Sequence, residues 1–212
     1  MSDGMAGIVG VGLMGHGIAS NLQNKGWPIG FLDHPGNQPT DDLINGGAWK
    51  ADTIATLSER CDTIILCVTG TPQVEAVLAG KGGALGSMRP GMVVIDCSTA
   101  IPDSTRKMAA LVDKAGGKML DAPMTRTPKE AAEGRLNLIV GGDREVFEAK
   151  LPMLKAFAEN IAYAGPSGSG HTMKLLHNFV SLGFSAVLCE AAAASKRAGI
   201  DPAVLSDVLA HG

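Results

Sequence analysis

The stretch Ala6-Gly7-Ile8-Val9-Gly10-Val11-Gly12-Leu13-Met14-Gly15 decides the fold. A short apolar run leads into three glycines spaced G-x-G-x-x-G. A helical pattern of Met14, Ile18 and Leu22 follows, closed by Gly26. This spacing carries meaning only between a strand and a helix, and that is where it stands. Gly10 permits a tight turn, Gly12 removes a side chain where a pyrophosphate must touch backbone, and Gly15 lets helix and strand pack closely. The helix N-terminus adds unpaired N–H groups and a partial positive charge for the phosphates. The alternative is a glycine turn with no ligand.

Working outward, 28–33 reads as a second strand ending in a carboxylate. Asp33 lies 21 positions after Gly12, close to the spacing of about 20 expected of a ribose-binding acid. A carboxylate there accepts from both ribose hydroxyls and repels a 2′-phosphate, which favours NAD over NADP. His34 beside it softens that repulsion when protonated. The alternative for Asp33 is a turn residue before Pro35. Further strands are expected at 48–51, 62–69, 92–99, 118–122, 136–140 and 160–164, and helices at 40–45, 54–59, 72–78, 102–115, 127–133 and 145–158. The runs 62–69 and 92–99 are apolar almost throughout, as in strands buried on both faces of a parallel sheet. Such alternation predicts an α/β chain with a Rossmann-type doubly wound parallel sheet. Ligands of such sheets bind at the carboxyl ends of the strands. Asp33, Thr69, Ser98, Thr99 and the loop after Asp121 collect there with the glycine turn.

The stretch 165–194 reads as one long helix. At 100° per residue, His171, Lys174, Asn178, Ser181 and Ser185 share an arc of about 80°. The rest of the circumference is apolar, which predicts a buried helix whose polar stripe needs partners or a cavity. Lys174 and Asn178, at i and i+4, point together into a site; the alternative is the wet face of a surface helix. Another helix follows at 202–210. The division expected is a dinucleotide-binding domain at 1–165, then the long helix and the beginning of an all-α C-terminal domain at 166–212.

Composition narrows the function classes. With 45% hydrophobic and 18% charged residues, a substantial core is available to the 212-residue chain. A net charge of −3 argues against nucleic-acid or membrane-surface partners. No uninterrupted apolar run approaches the roughly 18 residues of a membrane span. The N-terminal residues lack the basic and cleavage features of a signal peptide. Cys61, Cys67, Cys97 and Cys189 show no metal-ligand spacing and read as buried, reduced thiols of a cytoplasmic protein.

Four blocks together are similar to the β-hydroxyacid dehydrogenases, such as 3-hydroxyisobutyrate dehydrogenase and tartronate semialdehyde reductase. They are the glycine turn with Ala19-Ser20-Asn21-Leu22, Asp96-Cys97-Ser98-Thr99, Asp121-Ala122-Pro123, and Gly168-Ser169-Gly170 followed by Lys174 and Asn178. The resemblance implies an oxidoreductase that moves a hydride between NAD and a small acidic substrate, a β-hydroxyacid or its semialdehyde. Lys174 matches the catalytic lysine and general acid/base. Ser98, Thr125, Arg126, Thr127 and Asn178 match the substrate side. Gly10, Gly12, Leu13, Met14, Asp33, Val68, Thr69 and Thr99 match the cofactor side. No metal is implied. His171 and His177 are expected to pack or cap.

Two departures stand out. The family's usual Ser-Gly-Gly is replaced by Thr125-Arg126-Thr127, similar to the Arg-Thr variant of sulfolactaldehyde reductases. A guanidinium there suits a second anionic group on the substrate; the alternative is that Arg126 faces solvent or pairs with Glu130 or Glu133. The family pattern also continues past the long helix, whereas this sequence stops at Gly212, so it reads as truncated or a fragment. An apolar helix without cover then implies a homo-oligomer formed through the C-terminal helices. Two other readings share these residues. One is a non-catalytic NAD-binding and dimerisation module. The other is an imine reductase, disfavoured because those relatives usually lack a lysine at the position of Lys174.

Overall fold

Alternate residues of the central strands feed two different layers. Ile8, Ile65 and Ile95 belong to one apolar cluster, whereas Val9, Ile64, Leu66 and Val94 belong to a second. Strands β1 (Ala6–Val9), β4 (Thr63–Leu66) and β5 (Val93–Asp96) are therefore buried at every position. A computed structural model of the chain describes residues 4–211. The expectations resting on Met1, Ser2, Asp3 and Gly212, among them part of the signal-peptide reading, lie outside the described residues.

The other elements are α1 (Leu13–Asn24), β2 (Ile29–Leu32), α2 (Asp41–Asn45), β3 (Trp49–Ala51), α3 (Ile54–Arg60), α4 (Thr71–Ala79), α5 (Pro102–Lys114), β6 (Lys118–Asp121), β7 (Met124–Thr125), α6 (Pro128–Ala132), β8 (Leu136–Gly142), α7 (Arg144–Leu154), β9 (Ala158–Gly165), α8 (Ser169–Arg197) and α9 (Pro202–His211). Local chemistry starts several helices. Pro102 occupies the first turn of α5, Thr127 and Glu130 form a capping box on α6, and Asp143 accepts from two amides of α7.

The sheet order is β3-β2-β1-β4-β5-β6-β8-β7, with β9 on β8. The pairs from β3 through to β6 are parallel. The doubly wound parallel sheet is as expected up to β6; beyond it, β8 runs antiparallel to β6 and β7, and parallel to β9. Between β6 and β8 the chain turns back through β7, which pairs antiparallel with β8, and the single-turn helix α6, so β8 returns in the opposite direction. The helix expected at 145–158 also ends early, because Ala158 opens β9.

The chain divides into two compact units, the first extending to Lys174 and the second starting at Leu175, so the boundary falls inside α8. Helix α8 corrects two expectations. Only Gly170 and His171 are buried, and Phe179, Val180, Leu182, Phe184 and Val187 are exposed. The apolar pattern supplies a face, and the described residues supply no cover for it. Its 29 residues, with a mean hydropathy of 1.4 over an 18-residue window, are also long and apolar enough to cross a membrane by length and composition. Of the cysteines, Cys61 and Cys97 are buried as expected, whereas Cys67 is half-buried and Cys189 exposed.

Candidate active site

The sheet order reverses between β1 and β4, and the crevice beyond their carboxyl ends is where a doubly wound sheet binds its ligand. Gly10 leaves β1 with φ +97°, and a Cβ there would lie 2.3 Å from the carbonyl oxygen of Cys67. A Cβ on Gly15 would lie 1.9 Å from the carbonyl oxygen of Gly10, so α1 can sit this close to the strand end only with glycine. A Cβ on Gly12 would meet nothing within 4 Å. The space beside it is open, and α1 begins there with no side-chain cap and no acidic residue in its first turn. Its first amides are left to an incoming anion. The residues fit a dinucleotide.

Two adjoining cavities form the cleft, sharing Gly12, Cys67, Val68 and Thr69. One of about 330 Å³ extends from Gly10 towards Leu32, His34 and Asn37. The other, about 320 Å³, is bordered by Leu13, Met14, Ser98, Thr99 and Met124. Of the residues predicted to hold cofactor, Gly10, Gly12, Leu13, Met14, Val68, Thr69 and Thr99 thus surround this space. Asp33 follows β2 as predicted, but its carboxylate lies 3.1 Å from Lys50 Nζ and does not line either cavity. Both side chains are about half exposed, so the pairing is weak and exchangeable.

Beneath the second cavity lies a buried polar chain. Val68 N–H donates to Ser98 Oγ at 3.0 Å, and Ser98 N–H donates to Asp96 Oδ1 at 2.9 Å. Asp96 Oδ2 is buried without a hydrogen-bond partner, and burial pushes this carboxyl above the usual carboxylate range. On the neighbouring strand, Asp121 receives the start of α8: Oδ1 accepts from Gly168 N–H at 2.8 Å and Oδ2 from His171 N–H at 2.9 Å. His171 is fully buried, with Nδ1 2.8 Å from Thr105 Oγ1 and Nε2 3.1 Å from the carbonyl oxygen of Ser98. Its expected packing and capping role is what these contacts describe; His177 is exposed.

Lys174 follows His171 by about one turn. It is half-buried, has no carboxylate partner among the described residues, and has its pKa lowered by desolvation. Asn178 stands one turn further along α8, with Oδ1 3.3 Å from Nδ1 of His177. The loop after β6 differs from expectation. Arg126 holds φ +83°, a conformation that favours glycine, and its guanidinium pairs with Glu159 and the carbonyl of Arg135 rather than with Glu130 or Glu133. Thr125 Oγ1 accepts from Asn137 Nδ2 at 3.1 Å, and Thr127 caps α6. Neither threonine nor Arg126 borders the two cavities; Met124, just before them, does. Sequence reasoning missed the anchoring role of Asp121, although its block was noticed, because its partners lie about 50 positions away.

Comparisons with known proteins agree with the fold. Residues 5–165 match the family described as the NAD binding domain of 6-phosphogluconate dehydrogenase. The chain is 34% identical over 207 residues to 2-hydroxy-3-oxopropionate reductase of Escherichia coli, covering 97% of this chain and 70% of that protein. It belongs to the β-hydroxyacid dehydrogenase family. A second member, the NAD-dependent L-serine dehydrogenase of Pseudomonas aeruginosa, is 32% identical over 95% of this chain and 67% of its own length. The structure of 3-hydroxyisobutyrate dehydrogenase from Mycobacterium tuberculosis, solved with L-serine, superposes with a TM-score of 0.91 at 25% identity, covering 100% of this chain and 71% of that one. As a member of this family the chain is an NAD-dependent oxidoreductase acting on CH–OH groups.

Proposed function

We propose that this β-hydroxyacid dehydrogenase interconverts a small β-hydroxyacid and its semialdehyde, with Lys174 Nζ moving the proton. The observation that carries the reading is a half-buried lysine, without a carboxylate partner among the described residues, on the turn of α8 that is bonded through His171 to Ser98, a residue bordering the cleft. The names of two relatives, 2-hydroxy-3-oxopropionate reductase and NAD-dependent L-serine dehydrogenase, support a small hydroxylated acid as the substrate class.

NAD, when bound, accepts or supplies the hydride. In oxidation the neutral Lys174 amine takes the hydroxyl proton; in reduction the ammonium gives a proton to the carbonyl oxygen. Partial burial favours the neutral form and so brings the lysine nearer to an exchanging role. Ser98 and the 125–127 loop hold the substrate in this reading, and Gly10, Gly12, Leu13, Met14, Asp33, Val68, Thr69 and Thr99 hold NAD. Arg126 would receive a second anionic group by giving up Glu159. We assign 1–165 to cofactor binding and 166–212 to the helical part. Free cysteines support a cytoplasmic setting. The exposed Phe179, Phe184 and Val187 support self-association through the C-terminal helices.

The test is turnover of a panel of β-hydroxyacids by the purified chain with NAD, followed by reduced-nicotinamide absorbance. Lys174→Ala is expected to lower kcat by about 10²–10⁴-fold while calorimetry shows unchanged NAD binding. Oxidation should rise with pH through a midpoint below that of an ordinary lysine, and reduction should fall through it. Turnover that survives Lys174→Ala would sink the mechanism. NAD binding with no turnover of any acid would favour the binding-module reading.

A further inference from the structure

We infer that His171 is a positioning residue, a strut that sets the first turn of α8, and with it Lys174, against Ser98. The strut matters for catalysis only if Lys174 is the proton-moving group proposed above.

The backbone of the turn is held first. Asp121 ends β6, and its two carboxylate oxygens take the amides of Gly168 and His171. Carboxylate-to-amide bonds at a helix start are charge-assisted, and they also answer the helix dipole. There is no slack behind the turn: a Cβ on Gly170 would stand 2.4 Å from the carbonyl oxygen of Ile139 and 2.8 Å from that of Asp121. The turn is pressed onto the end of β6 and the middle of β8.

The side chain then fixes orientation. The carbonyl of Ser98 can only accept, so His171 Nε2 carries the proton and donates to it at 3.1 Å. Nδ1 stands 2.8 Å from Thr105 Oγ1, a hydroxyl that is also 3.2 Å from the carbonyl oxygen of Ile101. Thr105 is buried on α5, and Ser98 follows β5 at the cleft. The imidazole therefore joins three elements through one rigid plane, and each of its polar atoms has a partner. A buried ring satisfied on both nitrogens is costly to rotate, because either bond lost leaves a buried group unpaired. Lys174 lies three residues on, on the same side of the helix. Its reach into solvent or towards the strand ends is set by the angle of this turn.

The test uses the full chain, labelled with ¹³C at lysine Cε, the Lys174 resonance being assigned from Lys174→Ala. In His171→Ala the Lys174 titration is expected to move up towards that of an exposed lysine. With a β-hydroxyacid and NAD, kcat is expected to fall by about 10²-fold, the size of effect seen for misplacement near 1 Å, with little change in KM for NAD. His171→Gln, whose Nε2–H donates to the same carbonyl, should restore both. A folded His171→Ala chain in which Lys174 titrates as in the parent overturns the proposal, with or without turnover. If His171→Ala does not fold, Thr105→Val removes the Nδ1 partner and keeps the ring; an unchanged Lys174 titration there overturns it equally. Failure of the catalytic reading looks different: turnover then survives Lys174→Ala, while the titration in the His171 variants still reports whether the strut holds.

Discussion

Phenylalanines behave in opposite ways in the two units. Phe31 and Phe157 are 0% exposed, whereas Phe179 and Phe184 on α8 are 78% and 69% exposed. Both regions are rich in apolar residues, and both form well-defined elements. The difference is in what each element brings with it. Phe31 lies on β2, which arrives with β1 and β3 on its edges, and Phe157 precedes β9 and packs into the same apolar cluster. A helix arrives with an apolar stripe and nothing else. Pattern specifies a face; burial is a property of a pair of faces.

Matched substitutions in the two units can break or sharpen this contrast. The largest effect is expected from phenylalanine truncation. Phe157→Ala should cost about 3–5 kcal/mol in denaturant unfolding, and Phe179→Ala no more than about 0.5 kcal/mol. A large cost at Phe179 would mean that the face is covered in solution, and concentration-dependent unfolding would then identify a second copy as the cover. Next come the glycines. Gly15→Ala forces a Cβ onto the carbonyl of Gly10 and should cost about 1–3 kcal/mol. At Gly183 a Cβ meets nothing within 4 Å, so Gly183→Ala should add about 0.5–1 kcal/mol through helix propensity. Equal signs at the two positions would undo the comparison.

The smallest effect is electrostatic and depends on pH. Burial raises the pKa of Asp96 in the folded state, so between its ordinary value and the raised one the folded chain holds the extra proton. Stability then falls as pH rises through that window. Asp96→Asn should flatten this slope in melting temperatures measured from about pH 4 upward. Asp207→Asn, at an exposed pair with His211 in the other unit, should leave the slope in place. A slope unchanged in Asp96→Asn would place its origin elsewhere.

Much of the first unit was legible because its signals are local. The glycine turn and the apolar runs leading to Cys67 and Cys97 each need only a few adjacent residues to be read. The antiparallel β8 was not legible, since Leu136–Gly142 is equally apolar in either direction. The partner of Arg126 was missed because Glu159 is 33 positions away on β9, whereas the nearer Glu130 is used in the α6 capping box. Asp121 was visible as part of a block, yet its work is done on amides that sequence separation hides. The apolar circumference of α8 was read correctly as composition and wrongly as burial.

The packing of α1 on α6 has a mechanical consequence. A Cβ on Gly17 would lie 2.5 Å from the carbonyl carbon of Ala131, and Asn21 Nδ2 donates to the carbonyl oxygens of Ala131 and Ala132 at 3.0 and 3.1 Å. One of these helices begins at the glycine turn and the other at the loop that carries Arg126. Through these contacts the two helices form one packed pair. Loosening either loop tugs on the other through a shared joint, so the two should open as one cooperative unit with a common exchange rate for their amides.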